Sequence, residues 1–215
     1  MPAGKPFAPS TRHVQMLRAL IAALAALMIT FSPDHSATVG LSVFSGWAIA
    51  TAVVLGLGAW MVVPAGARTV PTLLAVAYLV AGMSAGVSSM RGTLLYFVVL
   101  VTWGVVAGAL ETGLGIAQRR RGDGAAARDT LTIGILTIVV AAATLLVPSG
   151  YSLEYFIEDA GRSFTLTGEI IAVGLFGGYA AIVAVFLAIA GFSPAVAANA
   201  APVSGSPART PEDRP

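Results

Sequence analysis

The sequence predicts an all-α integral membrane protein, a six-helix bundle built from three helical hairpins. Three observations carry this expectation. Apolar residues make up 57% of the 215-residue chain and charged residues 10%, against about 25% charged in soluble domains. The apolar residues gather into six segments, roughly Val14–Phe31, Thr38–Val63, Thr69–Met90, Thr93–Ala117, Thr130–Val147 and Glu169–Phe192. Finally, ten of the twelve Lys and Arg residues fall on one side of these spans. With the N-terminus inside, that side holds Lys5, Arg12, Arg18, Arg68, Arg119, Arg120, Arg121, Arg128, Arg209 and Arg214, and the other holds Arg91 and Arg162. Cytoplasmic loops carry an excess of Lys and Arg, so both termini are expected in the cytoplasm. Eleven of the twelve cations are Arg, and Ala, Val and Gly abound. That bias fits a GC-rich bacterial genome and hence a bacterial inner membrane.

About 20 apolar residues cross the hydrocarbon core. The first segment is the short one: its uncharged part, Ala19–Phe31, must recruit Val14–Leu17 and let Arg18 snorkel to the inner headgroups. A short apolar run behind Lys5, Arg12 and Arg18 also fits a signal peptide with cleavage near His35-Ser36-Ala37. The second, third, fourth and sixth segments are long enough without help, and Thr130–Val147 is near the lower limit. Prolines mark the ends. Pro33, Pro64, Pro148 and Pro194 each follow a span, where a residue without an N–H does least harm. Pro71 sits in a first turn, where its missing donor is unpaired anyway. Residues 1–17 and 193–215 read as disordered cytoplasmic tails. They flank a membrane domain over 18–192.

The even-numbered spans resemble one another. Gly46-Trp47-Ala48-Ile49-Ala50, Trp103-Gly104-Val105-Val106-Ala107 and Gly178-Tyr179-Ala180-Ala181-Ile182 each place a large ring beside a glycine near mid-span. The spacing from Tyr179 back to Trp103 exceeds that from Trp103 back to Trp47, matching an insertion before the last span. Three hairpins follow. Gly82/Gly86, Gly104/Gly108 and Gly174/Gly178 form small-residue faces that let backbones approach closely, within one chain or in a homo-oligomer.

Three hairpins, the Trp103-Gly104 pair, Glu111 and the basic run Arg119-Arg120-Arg121 together resemble the HdeD-like family of small six-helix bacterial membrane proteins, over about residues 15–192. The resemblance implies a role in acid-stress resistance. The stretch Ile157–Gly168 also resembles actinobacterial chains assigned an acyl-CoA synthetase activity. Such an enzyme needs a large soluble domain, and the longest stretch outside the membrane here is a tail of about twenty residues. Gly82-Met83-Ser84-Ala85-Gly86 matches the serine-hydrolase pattern G-x-S-x-G, but that motif needs a strand-to-helix turn and this one lies inside an apolar helix. The chain has no cysteine and two histidines, His13 and His35, so no metal site is expected. It has no nucleotide-binding glycine motif, so no cofactor is expected; and its basic residues sit where topology places them, so no nucleic-acid partner is expected. Its partner is the lipid bilayer.

Candidate functional residues are the charged groups at or near the membrane. Glu111 lies about 9 Å above the inner end of the fourth span; a carboxylate there is costly without a cation, and Arg18 and Arg68 are at similar depth. Glu169, in the first turn of the last span, complements the helix dipole. Over residues 151–168 the apolar Leu153, Phe156, Ile157, Ala160 and Phe164 recur at near-helical spacing. This predicts an amphipathic helix on the outer leaflet, with Ser152 and Gly161 at its ends and a Glu158–Arg162 pair. Asp34, Glu154, Glu158 and Asp159 would form an outer acidic patch, neutralised near pH 4, so that acid sinks the helix. The function expected is that of a non-catalytic multi-pass protein linked to acid or envelope stress. The alternative is a small-solute or proton transporter or channel, with Thr51, Ser84, Thr102 and Thr137 as the mid-membrane polar residues. A membrane enzyme has the least support.

Overall fold

The computed structural model describes residues 9–87 and 91–192. Six helices dominate: α1 (Thr11–Phe31), α2 (Ala37–Met61), α3 (Thr69–Gly86), α4 (Thr93–Arg120), α5 (Gly124–Leu146) and α6 (Gly168–Phe192). All six are long and apolar enough to cross a membrane. The chain is a multi-pass membrane protein with an all-α six-helix bundle.

Three boundaries move from the sequence reading. α1 begins at Thr11, so residues 11–17, expected in a tail, are helical. They are held by packing at the bundle's end: the Arg12 Nε donates to the Gly191 carbonyl oxygen, and the Gln15 amide donates to Asp129 Oδ2 at 3.2 Å. α4 runs to Arg120 and α5 starts at Gly124, because a helix need not stop where hydrocarbon stops. The turn between them closes through Gly122 at φ +88°, a left-handed conformation that glycine adopts without steric cost. α3 ends at Gly86, and residues 88–90 lie outside the described ones.

The largest correction concerns the outer segment. Residues expected as an amphipathic helix form an antiparallel β-hairpin, β1 (Ser152–Ile157) and β2 (Arg162–Thr167), joined by a 3-10 turn over Glu158–Ala160 and by Gly161 at φ +60°. Leu153, Tyr155 and Ile157 pair with Leu166, Phe164 and Arg162 on one face, while Ser152, Glu154 and Phe156 pair with Thr167, Thr165 and Ser163 on the other. The polar alternation Ser163-Phe164-Thr165-Leu166-Thr167 has the period of a strand, and β-branched and aromatic residues suit one. The near-helical recurrence came from Phe156, which lies on the opposite face from Leu153 and Ile157, and from Ala160 in the turn.

The three hairpins close into a ring. α2 packs most tightly on α3, α4 on α5, and α6 on α1, while the pairs α1–α2, α3–α4 and α5–α6 touch more lightly. Each hairpin is thus joined to the next more closely than it is joined within itself. The even helices are the inner ones; α2 and α6 are the most buried of the six. α1 shows how the outer helices are made. It turns Ala19, Ala22, Ala25, Ala26 and Ile29 inward and leaves Leu17, Leu20, Leu24, Leu27, Met28 and Phe31 exposed to lipid. Small residues face the protein, because close backbone approach is what holds membrane helices together.

Two glycine faces serve seams within the chain. A Cβ on Gly104 would stand 2.7 Å from the Ala141 side chain, and one on Gly108 2.6 Å from Ile138 and 3.0 Å from the Gly134 carbonyl oxygen. A Cβ on Gly82 would meet Ile49 at 2.8 Å, and Ser45 crosses the same seam to donate to the Gly82 carbonyl at 2.8 Å. Gly174 and Gly178 have open space around them. The expected outcome is therefore asymmetric. Gly104→Val or Gly108→Val should lower stability in a detergent-unfolding titration by at least the ~1–3 kcal/mol of an overpacked core. Gly174→Val and Gly178→Val should leave the single chain's stability within ~0.5 kcal/mol.

Candidate functional site

The equivalent rings of the three even helices meet on the bundle axis. The centroids of Trp47 and Trp103 lie 5.1 Å apart, Trp103 and Tyr179 5.6 Å, and Trp47 and Tyr179 6.1 Å, all edge to face. One turn earlier on each helix stand Phe44, Leu100 and Phe176, all buried. Phe44 packs edge-on against Phe176 and Trp103 at 5.3 Å. From α3, Tyr78 adds a ring 5.5 Å from both Trp47 and Trp103. Edge-to-face pairs contribute about 0.5–1.5 kcal/mol each beyond their burial, so these layers form a rigid plug that fills mid-bundle.

Beside this plug, toward the end that carries the chain termini, lies a polar cluster. Eight residues past the rings, about 12 Å along the helices, the equivalent positions are Leu55, Glu111 and Leu187. Glu111 is the departure. It is 1% exposed, and its Oε1 accepts from Arg18 Nη2 at 2.7 Å. Every helix supplies a polar side chain to this region: Arg18 from α1, Thr51 from α2, Tyr78 from α3, Glu111 from α4, Thr137 from α5 and Tyr179 from α6. A hydroxyl has one proton to give. Thr137 donates its own to the Ile133 carbonyl oxygen at 2.8 Å and so accepts from the Tyr179 hydroxyl at 2.8 Å. Glu111 Oε2 stands 3.5 Å from Thr137, at the limit of hydrogen bonding. Among the described residues, the buried Thr51 hydroxyl has no partner, and the Tyr78 hydroxyl faces Tyr179 without a close hydrogen bond.

Sequence reasoning placed a cation beside Glu111 and named two candidates. Arg18 is the partner. Arg68 instead donates through Nε to the Val63 carbonyl oxygen at 2.8 Å, closing the α2–α3 turn. Thr137 belongs to the cluster and Thr51 is buried one turn past Trp47, but Thr102 and Ser84 line an apolar groove between α3 and α4. Tyr78, Tyr179 as a hydroxyl donor, Gln15 and Asp129 were missed. The repeat held a signal for the site's place, since aligning the three rings sets Glu111 against two leucines.

At the opposite end, Glu169 does more than complement its own helix. Oε1 accepts from the Ala37 backbone N–H and Oε2 from the Thr93 hydroxyl, so one carboxylate ties together the first turns of α2, α4 and α6. All three inner helices present positive dipole ends there. The remaining candidates lie on the hairpin and do not join either site. Glu154 is exposed on β1, and Glu158 and Asp159 are exposed in the turn. Arg162 makes no ion pair with Glu158 among the described residues; its guanidinium lies 4.7 Å over the Phe164 ring. Without an outer helix, the expected acid-driven sinking of one loses its element. No known protein family, curated protein or solved structure matches the chain.

Replacing one partner of the buried pair should be costly. Glu111→Leu leaves Arg18 unpaired and should destabilise the protein by about 3–5 kcal/mol. Glu111→Gln keeps a hydrogen-bonding oxygen and should cost less. Arg18→Leu combined with Glu111→Leu should cost less than the sum of the single changes. Unfolding titrations of the three variants in detergent measure this coupling, and strict additivity would mean that the two side chains do not interact.

Proposed function

We propose that the chain is a non-catalytic protein of the bacterial inner membrane, HdeD-like in type, that acts in acid or envelope stress. The observation that carries this reading is the ring plug. Trp47, Trp103, Tyr179, Phe44, Phe176 and Tyr78 fill the axis at mid-bundle, as suits a bundle that must stay sealed while the solution outside it changes. The Arg18–Glu111 pair lies on one side of the plug and the Glu169 tie at the opposite end, with the rings between them. A transporter or channel is the second reading, favoured by the cluster of six polar side chains, one from each helix. The ten-to-two distribution of Lys and Arg supports placing the chain termini in the cytoplasm, which turns the polar cluster inward and the β-hairpin outward.

Two measurements test this proposal. Reporter fusions at Asp123 and Ser204 should read as cytoplasmic and one at Asp159 as external; an external reading at Asp123 would overturn the orientation. A deletion strain should lose viability and leak small solutes after an acid shift, with normal growth at neutral pH. Wild-type survival and leakage across the whole pH range would rule out the stress role. Flux of protons or small solutes through liposomes containing the pure protein would favour the second reading instead.

A further inference from the structure

The buried cluster is short of hydrogen-bond partners in a particular pattern. Glu111 uses Oε1 for Arg18, while the nearest partner of Oε2 is the Thr137 hydroxyl at a long 3.5 Å, the same hydroxyl that lies 2.8 Å from the Ile133 carbonyl oxygen. Two further hydroxyls are buried, Tyr78 fully and Thr51 at 2% exposed: Thr51 has no partner among the described residues, and Tyr78, which faces Tyr179, Glu111 and Arg18, makes no close hydrogen bond. The antiparallel register that sets Gly82 against Ala48 and Ile49 brings Tyr78, one turn along α3, alongside Thr51 and Ala52 of α2. Leaving a buried hydroxyl unpaired costs about 1–3 kcal/mol, and a buried water makes about three hydrogen bonds to polar groups of this kind.

The cluster's two sides differ. Beyond Glu111 toward the ends of α4 and α6, polar side chains follow: Gln118 lies two turns further along α4 with a buried Oε1 that has no partner among the described residues, and Gln15 bridges α1 to Asp129 of α5. On the other side stand the aromatic layers. The pair Arg18–Glu111 is neutral overall, and Thr51, Tyr78, Thr137 and Tyr179 add no charge. The ligands that suit such a site are small and neutral, or a single proton delivered to the carboxylate.

We propose that this cluster is a hydrated protonation site open only to the face that carries the chain termini. Water held by Tyr78, Thr51 and Glu111 Oε2 delivers a proton to Glu111. The carboxylate becomes a carboxylic acid, its charge partner Arg18 keeps its own proton, and the cluster passes from neutral to singly positive. Arg18, part-exposed at 13% and one turn from Gln15, is then free to turn its guanidinium toward the headgroups. The other titratable groups facing Glu111 are Tyr78 and Tyr179; α2 and α5 present only the hydroxyls of Thr51 and Thr137, and Asp129 stands further out beside Arg128 at 3.9 Å. The site goes beyond the stress role and does not depend on it.

The test is infrared difference spectroscopy of the full-length protein in oriented liposomes, recorded as pH is lowered on one side at a time. Acid on the side of the termini should produce a carboxylic C=O band that shifts in D2O. The band should be lost in Glu111→Gln, displaced in Tyr78→Phe and Thr51→Val, and unchanged in Glu169→Gln. Circular dichroism reports folding of each variant; if Glu111→Gln does not fold, Glu111→Asp takes its place and should displace the band. Absence of a Glu111-dependent band in protein that remains folded would overturn the proposal. So would a band insensitive to Tyr78→Phe and Thr51→Val, or one that follows acid on the hairpin side. Because the readout is spectroscopic on pure protein, it is independent of any survival phenotype.

Discussion

Lipid gives a helix no reason to bury an apolar face, because hydrocarbon tails are as apolar as leucine. The fold therefore rests on how closely its backbones approach. That constraint explains the inversion in α1, where alanines point inward and leucines outward. It explains the α4–α5 seam as well, where Gly104 and Gly108 admit Ala141 and Ile138, and Gly134 admits Thr112 from the other side. The α6–α1 seam repeats the device with Gly177 against Ile29 and Gly191 against Met16. Each seam joins an inner helix to an outer one. Three such seams, linked by lighter contacts, make a closed ring whose centre must then be filled.

Large rings fill it, and their placement follows from the repeat. Because the three inner helices run in the same direction, equivalent positions come to the same height, and Trp47, Trp103 and Tyr179 meet in one layer with Phe44, Leu100 and Phe176 in the next. Equal direction also sets three positive helix ends side by side at the hairpin end. Mutual repulsion there is relieved by Glu169, whose two oxygens reach α2 and α4 from α6. The repeat is broken at one depth. Glu111 stands where its counterparts are Leu55 and Leu187, and a single substitution of this kind in a low-dielectric core requires a cation, which α1 supplies.

Much of this was legible in the sequence, for physical reasons. Span count follows from the length of apolar runs, and the breaks follow from proline chemistry. The three-ring motif was visible because large rings are few within Ala-, Val- and Gly-rich helices, so their recurrence registers as a pattern. Glu111 was legible because a carboxylate in an apolar helix always needs an account. The choice of Arg18 over Arg68 was not, since both lie at similar depth and only the ring closure of α1 onto α6 decides which one faces inward. Nor was Tyr78, which in a one-dimensional pattern is just another apolar ring. The outer segment misled because Phe156, on the other face of the hairpin from Leu153 and Ile157, breaks the strand alternation of β1 and completes a helical spacing. The run Ser163-Phe164-Thr165-Leu166-Thr167 and the left-handed Gly161 favour the strand, and pairing across the hairpin, a non-local interaction, settles it.

The same geometry bears on α1, the span that sequence alone allowed to be either a helix of the bundle or a removable signal. Cleavage near Ala37 would strip Ile29 and Met16 from the glycine seam of α6 and open the ring along its whole length. It would also take Arg18 away from Glu111, leaving a carboxylate at 1% exposure without its cation, a loss worth about 3–5 kcal/mol on its own. Arg12 and Gln15 add bonds from α1 to α6 and α5. In the folded bundle, five polar or close-packed contacts made by α1 thus complete both the ring and the charge balance of the core.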